Sequence, residues 1–145
     1  MLTYALLGLL AFPQVGNYAR YEAEYKGSIF ELKKMLLDYD QERNTFFMVT
    51  KLSQDEETIS EDYSELPYMW FYSNEKVENV LKTCIRREGA REIVIVSNQK
   101  IEACTFFNED AQLDYTVGMV PFGQLRFQSY LGKGEFLDFY LKDFQ

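Results

Sequence analysis

Tyr18-Ala19-Arg20-Tyr21-Glu22-Ala23-Glu24-Tyr25 alternates without a break, with Ala19, Tyr21, Ala23 and Tyr25 on one side and Arg20, Glu22 and Glu24 on the other. Apolar or aromatic residues alternating with charged ones have the period of a β-strand with one face buried and one in water. Lys26-Gly27 then supplies a turn. Ile29 to Tyr39 continues in period two for much of its length, with Glu31 and Lys33 interrupting one face. Asp40 to Asn44 reads as a polar turn, and Phe46 to Leu52 as a third strand, apolar on both faces. At the far end, Leu125, Phe127, Ser129 and Leu131 alternate against Arg126, Gln128 and Tyr130. Gly132-Lys133-Gly134 turns the chain, and Leu137, Phe139 and Leu141 bring it back.

The middle of the chain adds more strands and one helix. Glu92 to Ser97 and Ile101 to Phe107 are β-rich runs joined by Asn98-Gln99-Lys100, and Asp114 to Val120 is another strand. Val77, Val80, Leu81, Cys84 and Ile85 fall on one helical face, with Ser73 or Asn74 as cap and Gly89 where a left-handed C-cap residue belongs. Leu66 to Tyr72 reads as a short strand, placing Tyr68, Trp70 and Tyr72 on one face and Met69 and Phe71 on the other. Ser53 to Glu65 contains six acidic residues and few apolar anchors, so it reads as an exposed loop. Short strands joined by local turns predict a mainly β fold: a curved antiparallel sheet, half-barrel or barrel, of about eight or nine strands. One helix near residues 74–88 would cover an open end or fill the concave face.

Composition limits what such a domain does. The chain has 145 residues, no histidine and a formal charge of -8. One domain of this length buries a real core. Its acidity disfavours nucleic acid and anionic membranes as partners. The lack of histidine removes the usual general base and the commonest metal ligand. Residues 1–16 carry no charged side chain, and Leu2 to Phe12 form an apolar run ended by Pro13. That run is too short to span a bilayer. It fits a signal peptide or hydrophobic leader before a single β-rich domain over 17–145, or alternatively an ordinary first element of the domain.

Cys84 and Cys104 are the only cysteines. Without histidine neither has an activating base, and two thiols do not make a zinc site. They are either two unrelated core residues or, in an exported chain, a disulfide tying helix to sheet; the expectation here is the disulfide. Carboxylate pairs such as Glu31 and Asp114 could serve a hydrolase, but the sequence does not place them together. A calcium site in the acidic segment lacks the spacing and glycine of an EF-hand loop. No phosphate loop or nucleophile elbow is present, so neither a metal, a cofactor nor a catalytic residue is expected.

Glu92-Ile-Val-Ile-Val-Ser-Asn-Gln-Lys-Ile-Glu-Ala-Cys-Thr-Phe106 is similar to the hairpin of secreted bacterial β-proteins that carry a Val-Pro-Ala-Gly-Thr-Phe turn, although Ser97-Asn98-Gln99-Lys100 stands here in place of Pro-Ala-Gly. Met119-Val-Pro-Phe-Gly-Gln-Leu-Arg-Phe127 resembles a later Val-Pro-Phe-Gly element of the same family, and Gly134 to Phe144 would supply its last strand. The resemblance spans about a third of the chain. It implies an exported protein of the bacterial envelope, periplasmic or secreted, with a fold similar to the half-barrels of periplasmic lipoprotein carriers. It brings no catalytic residues. The expected function is a non-enzymatic β-domain whose concave aromatic face, with Tyr21, Tyr68, Trp70 and Tyr72, binds a lipid or other apolar ligand, or a lipidated or extended partner. The alternatives are an interaction module with a filled core that meets an envelope protein, and a carboxylate hydrolase.

Overall fold

The computed structural model describes residues 12–108 and 113–145; most of the leader read from the sequence lies outside them. Nine antiparallel strands form one curved, unclosed sheet: β1 (Tyr18–Tyr25), β2 (Ser28–Asp40), β3 (Thr45–Gln54), β4 (Glu57–Pro67), β5 (Ala90–Val96), β6 (Gln99–Asn108), β7 (Leu113–Gly118), β8 (Gln124–Gly132) and β9 (Glu135–Phe144). Their order is β4-β3-β2-β1-β9-β8-β7-β6-β5. The first and last strands therefore pair in the middle of the sheet, and the two edges, β4 and β5, are consecutive in sequence. A two-residue turn with positive φ at both positions closes β1–β2 at Lys26-Gly27, β3–β4 at Asp55-Glu56 and β5–β6 at Ser97-Asn98. Such turns match the right-handed twist of the strands they join.

The alternation of β1 is realised as read. Ala19, Tyr21 and Ala23 are buried and pack with Val96, Ile101, Ala103, Leu125, Leu137, Phe139 and Leu141. On the opposite face Arg20 binds Glu22, Glu31 and Asp143 at 2.7, 3.2 and 2.6 Å. Glu22 and Glu31 stand directly opposite each other, and Arg20 offsets their repulsion. The interior between β1 and the β5–β9 half is thus filled with side chains. A smaller cluster of Leu36, Phe46 and Phe71 lies under the β2–β4 half.

The helix α1 spans Asn74–Lys82, capped by Ser73, whose hydroxyl accepts from the Lys76 N–H. It ends earlier than its apolar stripe suggests: Ile85 is exposed and the chain continues in turns to Gly89. Glu88, not Gly89, has the left-handed backbone, at φ 65°. Gly89 is small because a Cβ there would lie 2.5 Å from Cys104 Sγ and 2.9 Å from Cys84 Sγ. These two sulfurs form a disulfide, with Cα atoms 5.8 Å apart and both residues buried. Since Cys104 alternates with Ala103, the turn that follows α1 is tied to the face of β6 opposite the main core. No helix among the described residues is long and apolar enough to cross a membrane.

Three further stretches depart from the sequence reading. Most of Ser53 to Glu65 is strand: β3 runs to Gln54, and β4, from Glu57, pairs with it along its whole length. As an edge strand wetted on both faces it shows no apolar period, and its charges protect the open edge. Leu66 to Tyr72 is not a strand beyond Pro67. Tyr68–Trp70 is one 3-10 turn, so Tyr68, Trp70 and Tyr72 do not share a strand face. The β5–β6 turn is Ser97-Asn98, one step before the triplet expected.

Candidate functional site

The link from β4 to β5 folds over the mouth of the sheet, held by the Lys76 ammonium on the carbonyl oxygens of Met69 and Phe71. Phe71 turns inward, 5.4 Å from the Phe46 ring centroid and 6.4 Å from Phe122. Across from it, Pro121-Phe122-Gly123 starts β8 in a turn with Phe122 at φ 66° and Gly123 at φ 68°. Between the two lies a cleft of about 190 Å³. Its floor is Lys34, Met48 and Leu66 from β2, β3 and β4, and its walls are Phe71, Tyr72, Phe122 and Gln124, with Trp70 at the rim. This volume is below the roughly 300–1,000 Å³ of drug-sized sites and suits one short chain or ring.

Of the four aromatic residues read from the sequence, Trp70 and Tyr72 meet in this cleft. Trp70 is 68% exposed. Tyr68 lies outside the cleft, its ring 6.2 Å from Phe46. Tyr21 is fully buried in the core, 5.0 Å from Phe127 in an edge-to-face contact. Its hydroxyl donates to the Gln124 carbonyl oxygen at 2.8 Å, so it fixes the backbone of a cleft residue from below. Burial pushes the Tyr21 phenol well above its ordinary pKa.

Lys34, Phe122 and Gln124 escaped the sequence reading. Lys34 takes an inward position on β2 between Leu32 and Leu36, whereas Glu31 and Lys33, the apparent interruptions, point outward. Its ammonium lies 5.9 Å from the Phe122 centroid, 5.4 Å from Phe127 and 3.5 Å from Gln124 Oε1. Among the described residues no carboxylate pairs with it, and burial lowers its pKa. The visible signal was a lysine in phase with the apolar residues of β2.

The carboxylates named for hydrolysis are far apart. Glu31 is held by Arg20 on β1, whereas Asp114 on β7 lies 3.6 Å from Arg126, which also binds Asp138. Strands β1, β9 and β8 separate them. Among the described residues no three His, Cys, Asp or Glu side chains group as metal ligands. No family, curated protein or solved structure matches this chain.

Proposed function

We propose that this is a non-enzymatic binding domain whose cleft takes a small apolar group, either a free ligand or the terminal part of an acyl chain or side chain on a partner. One observation carries the reading: the only tryptophan lies largely in solvent at the rim of an aromatic cleft, although an indole would be expected to fill a core. Among the described residues the packed core leaves no interior cavity in the main cluster, which favours a site at the surface of the sheet such as this mouth. The Cys84–Cys104 disulfide supports an oxidising compartment, in line with the apolar leader and the likeness to secreted bacterial β-proteins. Fluorescence of Trp70 titrated with fatty acids, phospholipids and lipopeptides tests the reading. A shifted spectrum is expected, with Trp70→Ala changing stability by less than about 1 kcal/mol. An unchanged spectrum with all three rejects ligand binding at the cleft.

A second reading, a module that meets a protein partner along a sheet edge, is favoured by β5. This strand is paired only with β6 and exposes Ile93 and Ile95. An added strand could extend the sheet there. Ile95→Lys should abolish such binding and leave the Trp70 response intact.

A further inference from the structure

We infer that the cleft selects a short aliphatic carboxylate, its acid group received by the Lys34 ammonium and its chain lying against Phe71, Tyr72 and Phe122. The inference rests on the cleft being a binding site and adds the chemistry of its occupant.

Lys34 is the only charged residue lining the cleft, in a chain with 23 acidic side chains. Yet no carboxylate lies within ion-pair distance of it among the described residues. Along the row Lys34, Thr50, Asp62, the register places the backbone of Asp62 on the same face two strands away. At the usual strand spacing that is about 10 Å. An ammonium has three donors, and among the described residues this one has a single long side-chain contact, to Gln124 Oε1. The rings of Phe122 and Phe127 stabilise a cation but accept no strong hydrogen bond. A half-buried cation of this kind costs free energy unless an anion completes it.

The chemistry and the size of the cleft agree. A carboxylate is planar and small, and it forms charge-assisted hydrogen bonds with an ammonium. Apart from Gln124, which sits beside the ammonium, the remaining lining is apolar or aromatic, so the rest of the ligand should be mainly hydrocarbon. A volume of about 190 Å³ corresponds to roughly six water-sized groups, a chain of about that many carbons. A long acyl chain would have to run out past Trp70 into solvent.

Octanoate, 1-octanol and octylamine differ at one end only, and their binding to the full-length protein can be followed by Trp70 fluorescence and calorimetry. Octanoate should bind about tenfold or more tighter than octanol, and octylamine weakest. In Lys34→Met the preference for octanoate should vanish while octanol still binds. Equal affinity of the wild-type protein for octanoate and octanol would overturn the carboxylate assignment and leave the cleft as an apolar site. So would a preference that survives Lys34→Met. Absence of binding by all three would overturn both. Should Lys34→Met fold poorly, Lys34→Gln replaces it, and the wild-type comparison still decides.

Discussion

Gly123 yields its side-chain space to Tyr72: a Cβ built on Gly123 would stand 2.5 Å from Tyr72 Cβ and 2.6 Å from Cγ. The same glycine holds φ +68°, a conformation that L-residues adopt at a cost. Two demands for glycine thus meet at the wall of the cleft. Gly123→Ala should destabilise the fold by about 2–4 kcal/mol, from overpacking and from left-handed backbone. Denaturant midpoints measure this, and the Trp70 spectrum should change with them because Tyr72 must move.

The disulfide joins the turn after α1 to β6 across a sequence separation of 20 residues. A crosslink of that span should contribute about 3 kcal/mol. The Cys84→Ala, Cys104→Ala double variant should lose that amount in equilibrium unfolding. Thiol labelling of unfolded, unreduced protein should find no free thiol; two labelled cysteines would contradict the bond.

Tyr21 gives a pH dependence with a definite sign. Its phenol is held protonated in the folded state by burial, so its folded pKa lies above the ordinary value of 10.0. The resulting stability is complete below pH 10 and is lost as pH rises from there towards the folded pKa. Tyr21→Phe should abolish this alkaline loss. At neutral pH it should cost about 1 kcal/mol for the hydrogen bond to Gln124. Unfolding midpoints of both proteins from pH 7 to 11 test the claim.

Glu56 occupies a left-handed position, φ 70°, in the turn between β3 and β4. Glycine is preferred there, and among the described residues no hydrogen bond of the Glu56 side chain opposes the change. Glu56→Gly should stabilise the protein by about 0.5–1 kcal/mol. Asp55→Gly should instead be neutral or harmful, because Asp55 Oδ1 accepts the Ile29 N–H at 2.9 Å. Thermal midpoints of the two variants separate the cases.

The strands that could be read from the sequence are those with one dry and one wet face. In β1 each inward residue packs and Arg20 on the other side is ion-paired, so the pattern records the structure. β4 lies at an edge with water on both faces, and no period two marks it. The 68–72 link was misread because Phe71 is held by tertiary packing against Phe46, not by a strand partner. The cleft was the least legible part. Lys34, Met48, Leu66 and Phe122 come from elements that meet only after the sheet has curved. Each of them looks like ordinary strand material alone.

The pairing of β1 with β9 divides the molecule in a way its single chain conceals. Strands β1 to β4, residues 18–67, form one continuous four-stranded meander, and β5 to β9 form another, which carries the helix and the disulfide. Apart from the peptide bonds of the 68–89 link, the halves are joined chiefly by the β1–β9 ladder, the core above it and the aromatic contacts of Phe71 and Phe122. Severing the chain after Pro67 should therefore leave two complementary fragments, residues 1–67 and 68–145, able to reassemble into the same sheet. Their joint recovery on co-expression, with the tag on one fragment only, would make the cleft an assembly that forms only when the two pieces meet.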